Sequence, residues 1–170
     1  MHDILATAKP ATQFKLTDYR MSRFVLSPDQ WRGCTLPVVL HWTVVPFTAA
    51  NAAAIPDNCA GVYSFVAKPG IANHPECSYL LYVGKVESQN FRARYRQYLG
   101  EQAKGAQSRR PHVTDMLLKW DGFLSFCYAP IAAPDIIERV EDALLAAYLP
   151  PANKDFPASI SHAHRRVFAH

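Results

Sequence analysis

The spacing of apolar and polar residues changes several times along this chain, and each change marks an element. From Gly61 to Ala67, the residues Tyr63, Phe65 and Ala67 alternate with Val62, Ser64 and Val66, the two-residue period of a β-strand. Tyr79 to Lys85 reads as a second strand and Phe123 to Ala129 as a third. Leu36 to Phe47 is rich in valine, tryptophan and phenylalanine and predicts one more. Pro37 and Pro46 near its ends assign it to a sheet edge, because proline has no N–H to give to a ladder. A short alanine-rich helix is expected over Ala49 to Ala54, stopped by Pro56. Lys68 to Ser78 holds Pro69, Gly70, Asn73 and Pro75 and reads as a loop, either a tolerated insertion or one that touches substrate.

Helical spacing appears in three places. Asn90 suits the cap of a helix from Phe91 to about Leu99, followed by a loop marked by Gly100 and Gly105. Pro111 opens a helix to about Trp120, and Pro134 opens another through Tyr148, stopped by Pro150-Pro151. Residues 1 to 33 have no clean period. The order strand, strand, helix, helix, strand, helix predicts an α+β fold with a small antiparallel three-stranded sheet flanked by helices. The strand near 36–47 either extends that sheet or builds a dimer contact. The division expected is an N-terminal extension over 1–58, a domain over 59–157 and a basic tail over 158–170, with Ser161 to Arg166 read as tail.

Two charged residues fall on apolar helix faces. With Phe91 as reference, Tyr95 and Tyr98 share its stripe, and Arg94 lies about 60° away on the same side. In the last helix Ile137, Val140, Leu144 and Tyr148 form a stripe, and Glu141 lies about 40° from Ile137. A charge so placed needs a partner, a metal or a ligand. A salt bridge from Glu141 to Arg94 or another cation is the structural reading, and a metal or phosphate site is the functional one.

The chain has 170 residues, enough for one domain with a real core, and lysine plus arginine exceed acids by 18 to 14. The excess is local. Lys85 to Lys119 holds eight basic and three acidic residues, +5 in a stretch of 35, which leaves −1 for the rest. Concentrated positive charge suits a polyanion such as nucleic acid. Cys34, Cys59, Cys77 and Cys127 make no CxxC pair, and His74 with Cys77 lacks a second pair at zinc-like spacing. Free thiols are expected. No run approaches a membrane span and the start lacks signal-peptide features, so a cytoplasmic protein with no membrane partner is expected.

Gly61-Val62-Tyr63 and Tyr82-Val83-Gly84-Lys85 resemble the two motifs that give the GIY-YIG nucleases their name. Asn90 to Leu99 is similar to the helix after the second motif, and the likeness covers about residues 60–157, closest to the N-terminal nuclease domain of the bacterial excision-repair incision subunit. The resemblance implies catalytic roles for Tyr63, Tyr82, Lys85, Arg94, Tyr98, Glu141 and Asn153. It implies one Mg²⁺ or Mn²⁺ on Glu141, Arg94 on the scissile phosphate, and a tyrosinate as general base, Tyr63 first and Tyr82 second. Arg92 competes with Arg94, because the gap from Lys85 is about two residues longer than in the repair enzyme. Arg92, Arg96, Lys104, Arg109 and Arg110 are the expected nucleic-acid contacts. The implied activity is endonucleolytic hydrolysis of DNA, and a homodimer is a candidate because cutting both strands needs two sites. The alternatives are a non-cleaving binding module of the same fold and a toxin- or defence-type nuclease acting on RNA.

Overall fold

The computed structural model describes Arg20, residues 22–70, 77–158 and Ile160. The expectations for the tail from 161 onward and for 71–76 of the long loop, His74 included, lie outside the described residues. Strands β1 (Thr43–Pro46), β2 (Gly61–Ala67), β3 (Tyr79–Val86) and β4 (Leu124–Pro130) form one antiparallel sheet in the order β1-β4-β2-β3. Helices α1 (Pro28–Gly33), α2 (Phe91–Lys104), α3 (Pro111–Lys119) and α4 (Ile137–Tyr148) pack around it. The class is α+β, as expected, but the sheet has four strands rather than three. The N-terminal strand supplies the fourth by pairing Thr43 through Pro46 with Tyr128 through Ser125. It is an edge strand, and it is shorter than the expected 36–47. Over residues 36–40, Leu36, Val38 and Leu40 pack on the α4 side of the sheet instead.

Local chemistry explains the other boundaries. The Asn90 side chain accepts a hydrogen bond from the Ala93 N–H at 2.8 Å and caps α2. A single glycine does not stop a helix, so α2 runs through Gly100 and ends at Gly105, whose φ is +54°. Ala49–Ala54 is a 3₁₀-helix, and another 3₁₀ turn, Pro134–Ile136, leads into α4. Leu149 takes a left-handed φ of 45° at the end of α4 and turns the chain back toward the sheet.

The sheet separates two cores. On one face Tyr63, Phe65, Tyr82 and Phe126 pack with Phe91, Tyr95 and Tyr98 of α2 and Val113, Met116 and Leu117 of α3. On the other, Val62, Val83 and Ala129 pack with Ile137, Val140, Leu144 and Leu145 of α4. The described residues before 59 contribute to both: Phe47 and Ile55 join the first cluster, Leu36, Val38 and Leu40 pack on the second, and β1 belongs to the common sheet. The Tyr95 hydroxyl accepts from the Thr48 N–H at 2.8 Å and lies 2.8 Å from the Thr48 carbonyl, so α2 holds the end of β1.

Both motif glycines are sterically required. Tyr63 pairs with Gly84 in the β2–β3 register. A Cβ at Gly84 would meet the Tyr63 hydroxyl at 2.5 Å and Cζ at 2.6 Å. A Cβ at Gly61, where φ is +146°, would meet the Ala129 carbonyl oxygen at 2.3 Å. Gly84→Ala is therefore expected to destabilise the fold by about 1–3 kcal/mol, as overpacked cores do, lowering Tm by ~2–4 °C per kcal/mol. In a Tyr63→Ala background the added cost of Gly84→Ala should shrink, because the clashing atoms are gone. Equal costs in both backgrounds, measured by thermal or urea unfolding, would show that Tyr63 is not the reason for the glycine.

Candidate active site at the edge of strand β3

Strand β3 is a sheet edge, and its side chains divide between the two layers. Tyr82 and Gly84 register with Phe65 and Tyr63 and belong to the α2–α3 layer. Val83 and Lys85 register with Ser64 and Val62 and belong to the α4 layer. The two layers meet over this edge, where a cleft of about 400 Å³ is lined by Tyr82, Lys85, Arg110, His112, Glu138, Glu141 and Asn153–Pro157. The segment after α4 covers that edge. The Ala152 N–H donates to the Leu81 carbonyl at 2.9 Å, and the Asn153 side chain accepts from the Val83 N–H at 2.9 Å and donates to the Val83 carbonyl at 2.8 Å. Asn153 thus satisfies backbone groups that an edge strand leaves open.

On the aromatic side, Tyr63 and Tyr98 are 2 % and 0 % exposed and share a hydroxyl–hydroxyl hydrogen bond of 2.7 Å. Burial, with the neighbouring tyrosines, pushes the pKa of Tyr63 well above its ordinary value, and the charge of Arg94 offsets only part. Burial also raises that of Tyr98. Tyr63, expected first as general base, therefore keeps its proton. Tyr82 lines the cleft, and its hydroxyl accepts from Arg110 Nη2 at 3.2 Å. The Arg110 guanidinium also lies 5.5 Å from the centre of the Tyr98 ring, a cation–π contact. Of the two tyrosines expected as base, Tyr82 reaches the cleft and Tyr63 is buried behind it.

The two competing arginines have different surroundings. Arg92 donates from Nε to the Ile55 carbonyl at 2.7 Å and from Nη2 to the Ala53 carbonyl at 3.1 Å, and it pairs with Asp57. Its guanidinium ties α2 to the 3₁₀-helix and is engaged throughout, which leaves little of it for the nucleic-acid contact expected of it. Arg94 Nε is buried with no hydrogen-bond partner. A buried donor of that kind costs stability unless a ligand satisfies it. Among the other expected contacts, Arg96 and Arg109 are exposed, and Lys104 is exposed and pairs with Glu101 at 2.9 Å.

On the α4 side Lys85 is surrounded by acids. Its Nζ lies 2.8 Å from Glu138, 3.1 Å from Glu87 and 3.7 Å from Glu141. Burial pulls the Lys85 pKa down, but these carboxylates outweigh it and hold the ammonium charged. Glu141 has only 17 % of its side chain exposed, and burial raises its pKa to about 7 against the partial opposition of Lys85. The salt bridge expected for Glu141 is therefore a loose contact with Lys85, which three carboxylates share.

Glu141 fits one kind of metal site. Among the described residues no group of three or more His, Cys, Asp or Glu side chains is placed to hold an ion. Mg²⁺ needs no such cage, because it keeps several waters and takes one or two carboxylates. A half-buried carboxylate with too little positive charge beside it suits that mode of binding. Cys34, Cys59, Cys77 and Cys127 all carry free thiols.

His112 lies in the cleft wall with Nδ1 buried and unpartnered, and its pKa is lowered by burial and by the nearby charges of Lys154 and Arg110. Its place could not be read from the sequence, because an isolated histidine in a helix first turn has no distinguishing spacing. Lys154 and Asp155 enter the cleft only because Leu149 reverses the chain. Among the described residues no helix is long and apolar enough to cross a membrane. Comparison with protein-family models, curated proteins and solved structures finds nothing that matches this chain.

The raised pKa of Glu141 has a consequence for stability. Between pH ~4.5 and ~7 the folded chain holds a proton that the unfolded chain has released, so this group's contribution falls as pH rises through that window. In chelator, Glu141→Gln should stabilise the protein at pH 8 by about 2 kcal/mol, raising Tm by roughly 5 °C. At pH 4.5 the difference should nearly vanish. A gain that is absent, reversed or independent of pH in thermal unfolding would contradict the strained state of this carboxylate.

Proposed function

We propose that this protein is a metal-dependent endonuclease that hydrolyses phosphodiester bonds in DNA in the manner of the GIY-YIG nucleases its motifs resemble. One observation carries the reading: Glu141, Lys85, and Tyr82 with its Arg110 partner, drawn from opposite layers, line a single cleft at the sheet edge. The basic stretch from Lys85 to Lys119 supplies the charge a polyanion requires, with Arg96, Lys104 and Arg109 on its exposed surface.

The chain's own groups divide the work. Arg110 presents a planar guanidinium at the cleft, and Arg94 has an unsatisfied donor beside the tyrosines; both suit a phosphate. Tyr82 lines the cleft with its hydroxyl oxygen held by Arg110 and is the group placed to accept the proton of the attacking water. Tyr63 and Tyr98 stay protonated and fix the ring of Tyr82 from behind, at centroid distances of 6.2 Å each. Lys85 offsets part of the negative charge of the α4 carboxylates, and Asn153 keeps the β3 edge in place. Mg²⁺ or Mn²⁺ on Glu141, when bound, supplies Lewis-acid stabilisation of charge on the leaving oxygen.

The test is incubation with supercoiled plasmid, single-stranded DNA and RNA, with Mg²⁺, with Mn²⁺ and with chelator. Wild type should cut DNA only with metal. Glu141→Gln and Arg94→Ala should lose about 10²–10³-fold in rate, the scale of removing an electrostatic stabiliser. Tyr82→Phe should lose about 10²–10⁴-fold, the range of general base catalysis, and Tyr63→Phe much less. Arg92→Ala should act mainly on stability. Wild type inert on every substrate, or Glu141→Gln cutting as well as wild type, would refute the proposal. Cleavage of RNA alone would favour the toxin- or defence-type reading.

A further inference from the structure

A second cavity, of about 380 Å³, opens along the same sheet edge, beyond the first. Arg23, His112, Asp115, Lys119 and Trp120 supply its polar and aromatic lining, and Leu81, Pro151 and Ala152 complete the side toward β3. His112, Asp115, Met116 and Lys119 follow the spacing of a single helix face, so the cavity runs along α3. His112 lines both cavities, and its Nδ1 is buried without a hydrogen-bond partner. One face of α3 thus leads from the cleft at Tyr82 and Arg110 to the cavity at Lys119 and Trp120.

The mixture of groups selects a ligand class. A bare anion would meet Asp115 as well as Arg23 and Lys119, and an apolar ligand would leave three charges unpaired. A nucleotide satisfies all of them. Its base offers a flat face to Trp120 and edge N–H groups to Asp115, and its phosphate offers charge to Arg23 and Lys119. The volume is in the range of small-ligand sites, about 300–1,000 Å³. The neighbouring surface continues the pattern. The Arg20 guanidinium lies 5.5 Å from the centre of the Phe123 ring, and Phe24 lies 5.9 Å from Tyr79, with Phe24 39 % and Phe123 47 % exposed. Cations interleaved with exposed aromatic rings make a stacking platform for single strands.

We propose that the second cavity holds an unstacked nucleotide of the substrate strand next to the scissile phosphate, with its base on Trp120 and its phosphate on Lys119 and Arg23. The preferred substrate is then single-stranded or locally melted DNA rather than an intact duplex. This inference rests on the endonuclease reading above. Stacking in the cavity draws the strand across His112 and delivers the adjoining phosphate to Arg110 and Tyr82.

Binding can be measured apart from cleavage. With chelator present, the anisotropy of a labelled 12-nucleotide single strand should report tighter binding than that of a duplex of equal length. Trp120→Ala should weaken the single strand by about 5- to 150-fold, the scale of one lost base stack. Trp120 also packs against the core, so Trp120→Phe serves as a second variant and should lose less. Lys119→Ala and Arg23→Ala should each lower the slope of log affinity against log salt by about one. If wild type binds the strand while folded Lys119→Ala and Arg23→Ala keep its affinity and salt slope, the cavity is not the subsite, though the endonuclease reading survives. If wild type binds no nucleic acid, that reading fails and this inference fails with it.

Discussion

The contact between Tyr63 and Gly84 determines the arrangement of everything around the cleft. A tyrosine ring crosses the neighbouring strand at the one residue that has no side chain, with its hydroxyl where a Cβ would be. That crossing delivers the hydroxyl to Tyr98 of α2 and sets the ring beside Tyr82. Strands β2 and β3 and helix α2 are thereby fixed to one another at the point where β3 becomes an edge. Arg110 then closes on Tyr82 and Tyr98 from the start of α3. Glycine on one strand and tyrosine on the other are two halves of one packing solution, which is why a change at either position reaches the cleft.

The same geometry keeps two different chemistries apart. Behind the sheet edge the aromatic layer is dry, and its tyrosines hold their protons. In the α4 layer three carboxylates surround one lysine, and the deepest of them, Glu141, is ionised only with difficulty. Placed on opposite faces, the hydroxyls and the carboxylates share a cleft over the rim of β3, where a ligand can touch both. Asn153 guards this rim by occupying the backbone groups of Val83 that another strand would otherwise pair with.

Much of this arrangement was legible in the sequence. The alternation around Tyr63, the Asn90 cap and the prolines at 111 and 134 located the elements to within a few residues, because each is a local constraint. Arg94 and Glu141 were visible as charges on apolar faces. The fourth strand's partner was not legible, since a short edge strand carries no signal of which neighbour it joins. Nor was the burial of Tyr63, because alternation gives the face of a strand and not the depth of cover over it. Arg110 and His112 reach the cleft through the docking of α3, a tertiary event with no sequence period. Arg92 and Arg94 differ by two positions in one helix, and the carbonyls of Ala53 and Ile55 with the Asp57 carboxylate distinguish the tethered arginine from the unsatisfied one.

We propose that the β3 rim is a divalent-metal site built on Glu141, and Mn²⁺ reports such a site without any need for turnover. Substoichiometric Mn²⁺ added to isotopically labelled protein broadens backbone amide signals near the bound ion. The account predicts selective loss of the signals of Glu141, Lys85 and Tyr82 and of the loop at Asn153, reversed by excess Mg²⁺ and absent in Glu141→Gln. Broadening centred on other carboxylates such as Glu101 or Asp29, or uniform broadening that survives Glu141→Gln, would contradict it.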